Sequence, residues 1–167
     1  MRLKRIWDKA EGIKAELIDI RRDIHAHPEL GFKEVRTSGL VAKILESLDI
    51  ELIDKVGITG VVGILRGKYP GKTLLIRVDM DCLPLEESND VPYKSKHPGL
   101  MHACGHDAHT TFLIGAAKIL KEFQNELHGN IKFVFQPAEE SSGGAKKMVE
   151  DGVLENPKVN AALGMHI

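Results

Sequence analysis

Two cysteines, Cys82 and Cys104, are all that the 167 residues contain, too few for a disulfide framework. An isolated pair reads as free thiols or a metal ligand. Charge of one sign is also lacking: 23 Lys and Arg stand against 24 Asp and Glu, a net charge of −1. A near-neutral chain has no electrostatic footprint for nucleic acid or an anionic membrane, so neither partner is expected. No apolar run approaches the length of a membrane span. The basic start MRLKR is followed by Asp8, Lys9 and Glu11, which interrupt any apolar core of a signal peptide. Cytoplasmic location is therefore the default expectation. Aromatic residues are sparse, and there is no internal repeat or low-complexity segment. The hydrophobic share is 43%, the composition of one globular domain with a sizeable core.

What is present alternates between two periods. Ile13, Leu17, Ile20 and Ile24 recur at helical spacing over Trp7 to Ala26, and Pro28 closes that helix. TSGLVAKILESLD predicts a second helix with Thr37 or Ser38 as its cap. ELIDKV, TGVVGILRG and KTLLIRVDM read as strands, with GKYPG as a turn that predicts an antiparallel hairpin between the second and third. GKYPGKT is not a phosphate loop: its glycine spacing is one residue short and a strand follows where a helix is needed. CLPLEESNDVPYKSKHPG is a long loop, and long loops in compact domains are often functional. TTFLIGAAKILKEF predicts a strong helix, NIKFVFQP a strand buried on both faces, and SSGGA a flexible entry to a short helix over GGAKKMVEDGVL. VNAALGMHI reads as a buried strand. Strands alternating with helices imply a layered α/β domain with at least part of its sheet parallel.

Ligand sites in open α/β sheets gather at the carboxyl ends of the strands, and reactive side chains cluster at those places here. Asp79 and Asp81 end one strand. Glu139 and Glu140 follow another, and His166 ends the last. MHACGHDAHT puts Cys104, His106, Asp107 and His109 just before or at the start of the long helix. Thiolate, imidazole and carboxylate form the ligand set of zinc and neighbouring divalent metals. Across a Gly105 hinge, Cys104 and His106 can face one ion. Of the paired glutamates, one can bind metal while the other takes a proton from water as general base; spacing alone does not divide the roles. Blander readings hold elsewhere. Glu86 and Glu87 read as exposed carboxylates in water, and His25, His97 and His128 as solvated. Cys82 reads as a small buried residue, and His102 and His109 as packing or supporting groups.

HAHPELGFKE, RVDMDCLP, MHACGHDAHT, FQPAEE and GMHI occur in the order seen in the peptidase M20 family. The match resembles most its amidohydrolase branch, which includes hippurate hydrolases, auxin-conjugate hydrolases and N-acetyldiaminopimelate deacetylases. The resemblance implies a three-layer, zinc-exopeptidase-like α/β domain with a mixed, largely parallel sheet flanked by helices. It implies two divalent ions (zinc, manganese, nickel or cobalt) and hydrolysis of the amide bond of an N-acyl amino acid or short peptide. By the same resemblance Cys104, His106, Glu140 and His166 match metal ligands, Glu139 the general base, and Asp79 an acidic residue supporting the machinery. Family members are longer, homo-oligomeric chains. The expectation is thus that residues 1–167 are the truncated N-terminal part of the catalytic domain, without the lid and dimerisation domain or the C-terminal part. A catalytically silent metal-binding fragment is the alternative. A cysteine nucleophile at Cys104 with a histidine base is weaker, because it leaves the paired glutamates without a role.

Overall fold

Five apolar runs become one sheet. The computed structural model describes residues 2–140 and 143–167, so Ser141 and Ser142 of SSGGA lie outside the described residues. Strands β1 (Glu51–Val56), β2 (Gly60–Arg66), β3 (Tyr69–Asp79), β4 (His128–Gln136) and β5 (Ala161–Gly164) lie in the order β1-β2-β4-β3-β5. β1 with β2 and β2 with β4 are antiparallel, while β3 pairs parallel with both β4 and β5. The sheet is mixed, as the resemblance implies.

The hairpin expected across GKYPG does not form, because β4 lies between β2 and β3. Gly67 and Tyr69 donate instead to the carbonyls of Gly129 and Leu127, at the start of β4. A turn signal reports only local backbone geometry. Which strand fills the sheet centre depends on burial of both faces. β4 supplies that, with Phe133 and Phe135 in the core on one face and Val134 in the core on the other.

Helices cover both faces. Helices α2 (Val35–Ser47) and α3 (His106–Glu122) press Val41, Leu45, Leu113, Ile114 and Ala117 onto Val61, Leu65, Val78, Phe133 and Phe135. α1 (Arg2–Ala26) adds Leu17 and Ile20 to that layer. On the opposite face α4 (Gly144–Glu150) sets Met148 against Val62, Ile64, Leu75 and Val134. The cap of α2 differs from expectation. The helix begins at Val35, and Glu29 accepts the N–H groups of Arg36 and Thr37 at 2.8 Å each. A carboxylate from the preceding loop reaches these donors, so neither Thr37 nor Ser38 serves as cap.

The strand expected at VNAALGMHI is present but not buried: Ala161–Gly164 are all exposed, Leu163 by 55%. β5 is an edge strand pairing only with β3, and no described residue covers it. An apolar run specifies a strand but not its cover. No described helix is long and apolar enough to cross a membrane.

Lys132 is the exception on β4. It is 1% exposed, and its ammonium donates to the carbonyls of Val153 at 2.8 Å, Glu155 at 2.7 Å and Pro157 at 3.1 Å. Burial lowers its pKa. Lys132→Met keeps the apolar stem but leaves these carbonyls without their donor. Val153 is the buried acceptor, whereas the carbonyls of exposed Glu155 and half-buried Pro157 can turn to water, so at ~1–3 kcal/mol for an unsatisfied buried group a loss of about 1–3 kcal/mol is expected. Thermal unfolding should register it as a fall in Tm of about 2–12 °C. An unchanged Tm would mean that water replaces the ammonium without penalty.

Candidate metal centre

The topology makes the site. From β3 the chain crosses through α3, on one face, to β4; from β4 it crosses through α4, on the other face, to β5. Connections leaving to opposite faces open a crevice at the carboxyl end of β3. Asp79 is level with Gln136 of β4, and Arg77 is level with Gly164 of β5. Two residues beyond each pair come Asp81, Ala138 and His166. Gly105 takes a left-handed φ of +80° before α3, so the thiol of Cys104 lies outside the helix and His106 opens it.

The predicted residues converge there. Cys104, His106 and His166 place one ligand atom each within 4.8 Å of one another; so do Asp79, His106 and His109, and so do His106, Glu139 and Glu140. His106 is common to all three groups. Cys104 Sγ lies 3.5 Å from His166 Nε2. His106 Nε2 stands 3.6 Å from both Asp79 Oδ1 and Glu140 Oε1, and its Nδ1 3.3 Å from Asp81 Oδ1. Both ring nitrogens, and Glu140 Oε1, are buried without a hydrogen-bond partner. Buried polar atoms left like this carry a penalty. A cation between imidazole and carboxylates would remove it, so the residues present fit a metal.

Asp79 is fully buried. His109 Nε2 accepts the Ile167 N–H at 3.0 Å, which leaves the proton on Nδ1 to be donated to Asp79 Oδ1 at 2.6 Å. Arg77 Nη1 approaches the other oxygen, Oδ2, at 2.9 Å. Cys104 sits among acidic groups: burial first, then the Glu140 carboxylate, pushes its thiol up to about 11. A nucleophilic cysteine needs the reverse environment, which tells against that alternative. Cys82 is buried as expected, and burial pushes it up to about 12.

Sequence reasoning placed Asp81 at the strand end but gave it no role. Its Oδ1 and Oδ2 accept the backbone N–H groups of Glu139 at 3.0 Å and Glu140 at 3.1 Å. Burial raises its pKa, but the His106 imidazole beside it and these two amides outweigh burial, and the net shift is downward. The signal was available: period-two alternation in VDMD puts Asp79 and Asp81 on one side.

Two expectations are corrected. His25 and Glu87 are buried, not solvated. His25 Nδ1 meets Asp107 Oδ2 at 2.7 Å, its Nε2 meets Glu87 Oε1 at 3.1 Å, and Arg21 Nε meets the same Asp107 oxygen at 2.7 Å. The long loop folds back over the end of α1, where Lys96 N donates to Ala26 O. That brings Glu87 to His25. His102 is also buried, with both ring nitrogens unpartnered, and burial lowers it to about 4. His97 and His128 are exposed as expected.

Asp107, ahead of the opposing effect of burial, raises the pKa of His25, and Glu87 adds to it. A histidine raised on folding contributes stability that is complete below about pH 6.5 and is lost as pH rises through the folded value. Urea unfolding from pH 6 to 9 should therefore show the native chain losing stability relative to His25→Gln. Parallel curves would remove the charge from this cluster.

Known proteins resemble this chain in sequence and in fold. The family described as peptidase family M20/M25/M40 matches residues 75–167. The chain is 52% identical over 151 residues to IAA-amino acid hydrolase ILR1-like 5 of Arabidopsis thaliana, covering 90% of this chain and 34% of that protein. It is 46% identical over 160 residues to N-acetylcysteine deacetylase of Bacillus subtilis (strain 168), covering 95% and 41%. A Bacillus subtilis crystal structure, described as a dinuclear metal binding peptidase from the M20 family, superposes with a TM-score of 0.88 at 44% identity, covering 93% of this chain and 43% of that one. The chain thus spans less than half the length of these relatives. The matched span runs from β3 to β5 and takes in Asp79, Cys104, His106, Glu139, Glu140 and His166; the chain belongs to peptidase family M20/M25/M40.

Proposed function

We propose that the chain supplies a two-metal centre for hydrolysis of the amide bond of N-acyl amino acids or short peptides. Residues 1–167 are then the N-terminal part of the catalytic domain, working in a reducing compartment such as the cytoplasm, where Cys104 stays a thiol. The observation that carries the reading is His106, buried with two unpartnered nitrogens between the carboxylates of Asp79, Asp81 and Glu140.

Cys104, His106, Glu140 and His166 would hold two divalent ions; zinc, manganese, nickel or cobalt suits this donor set. Such ions supply a more acidic water near neutral pH and a Lewis acid for the acyl carbonyl. The chain's own residues do the rest. Glu139 is exposed beside Glu140, with its backbone fixed by Asp81. Its carboxylate takes a proton from the attacking water and returns it to the leaving amine. Asp79 orients His109, and the His109 ring packs against that of His166 at 4.6 Å. The relatives support the substrate class, since N-acetylcysteine deacetylase names an N-acyl amino acid.

The test is hydrolysis of N-acetyl amino acids by the purified chain loaded with each metal. The expected result is release of acetate that a chelator stops and metal restores. A chain that binds metal but releases no acetate would contradict turnover. It would favour the second reading, a metal-binding chain silent on its own.

A further inference from the structure

Three successive amides at the corner after β4 are held by carboxylates. Ala138 N–H donates to Glu34 Oε1 at 2.8 Å, Glu139 N–H to Asp81 Oδ1 at 3.0 Å, and Glu140 N–H to Asp81 Oδ2 at 3.1 Å. Both acceptors are buried, Glu34 completely. Ala138 has a left-handed φ of +49°, which a residue with a Cβ adopts only when its surroundings enforce it. The enforcement is visible on every side of that residue. Its N–H is taken by Glu34, and its carbonyl accepts the Gly144 N–H at 3.1 Å. Its Cβ presses on Gly31, where an added Cβ would come within 2.9 Å of it. The second oxygen of Glu34 accepts the hydroxyl of Thr59, which leaves the glutamate little freedom to turn. Glu34 occupies the N-cap position of α2, where an acidic side chain ordinarily turns to its own helix. Here Glu29 serves that helix, and Glu34 points away from it.

We propose that Glu34 is a positioning residue: by holding Ala138 in its left-handed conformation, together with Asp81, it sets the direction in which Glu139 and Glu140 leave the backbone. A strand that simply continued past Gln136 would send consecutive side chains to opposite faces. The forced corner at Ala138 turns both glutamates to one crevice, each with an oxygen within 4.8 Å of the His106 ligand atom. The consequence for metal rests on the metal-centre reading above; the clamp itself does not.

The test pairs Glu34→Ala with Glu34→Gln in the full chain. Glutamine keeps an oxygen for Ala138 N–H and an NH2 for Thr59, so it preserves the clamp; alanine removes it. Two quantities are read: amide hydrogen exchange at residues 138–140 without metal, and Co²⁺ affinity by absorbance. Glu34→Ala is expected to speed exchange at 138–140 at least about tenfold, with the other amides of β4 retaining protection. It should weaken Co²⁺ by about 10–100-fold, the range seen for groups that orient ligands. Glu34→Gln should stay near the parent in both. Unchanged exchange in Glu34→Ala would overturn the clamp. Faster exchange with unchanged Co²⁺ affinity would overturn the positioning role, as would a Glu34→Gln as weak as Glu34→Ala. If Glu34→Ala does not fold, Gly31→Ala replaces it, since its added Cβ would come within 2.9 Å of Ala138 Cβ and 3.0 Å of its Cα and so displace the corner that Glu34 holds; the same two readouts decide. A parent chain that binds no Co²⁺ would contradict the metal-centre reading, and exchange alone would then decide the clamp.

Discussion

Glu139→Gln is expected to retain metal at the parent level while hydrolysis of N-acetyl amino acids falls by about 10²–10⁴-fold, the range a positioned general base contributes. The substitution is nearly isosteric. It leaves the Glu139 backbone N–H on Asp81 and removes only the capacity to take a proton. Its neighbour provides the contrast. Glu140 Oε1 is buried 3.6 Å from His106 Nε2 without a hydrogen-bond partner, so Glu140→Gln should lose metal first and activity as a result. Metal content and turnover measured together on both variants check the division of roles. A Glu139→Gln variant hydrolysing at the parent rate would contradict it.

The second large effect is expected at His106. Its ring belongs to every cluster of candidate ligands among the described residues, and it opens α3 in the crevice beside β3. His106→Ala takes away the group the clusters share and leaves Asp79, Asp81 and Glu140 facing one another across the space. Metal affinity should fall by more than the 10–100-fold that loss of an outer partner costs. His109→Ala, which removes only the ring hydrogen-bonded to Asp79, should stay within that smaller range. Isothermal titration with Zn²⁺ or Co²⁺ measures both. Equal losses would mean that His106 holds no privileged place.

Much of the site was legible because its residues lie at strand ends and at one helix start, where short motifs carry the chemistry. Cys104-Gly105-His106 could be read from its own spacing. Glu139 and Glu140 could be read from the apolar run that precedes them, and the left-handed Gly105 agrees with the hinge expected there. What escaped was nonlocal. His25 lies between Ile24 and Ala26, Glu34 between Lys33 and Val35, and Glu87 between Glu86 and Ser88, and none of these local patterns tells which distant partner the side chain meets. The three are buried because the loop and the α1–α2 corner fold back onto α3 and the end of β4. Strand order escaped for the same reason: GKYPG describes a turn, whereas β4 takes the place between β2 and β3 by what it buries. The same limit applies at β5, whose apolar run fixed a strand and left its exposure open.

Cys104, His106, Glu140 and His166 are proposed to form a metal centre. Metal content tests it most directly, on chain purified under reducing conditions without chelator and analysed by elemental mass spectrometry. Near-stoichiometric divalent metal is expected, up to two ions per chain, lost in Cys104→Ser and His106→Ala while both variants remain folded. A folded parent chain that takes up no zinc, manganese, nickel or cobalt, or one whose metal survives both substitutions, would contradict it.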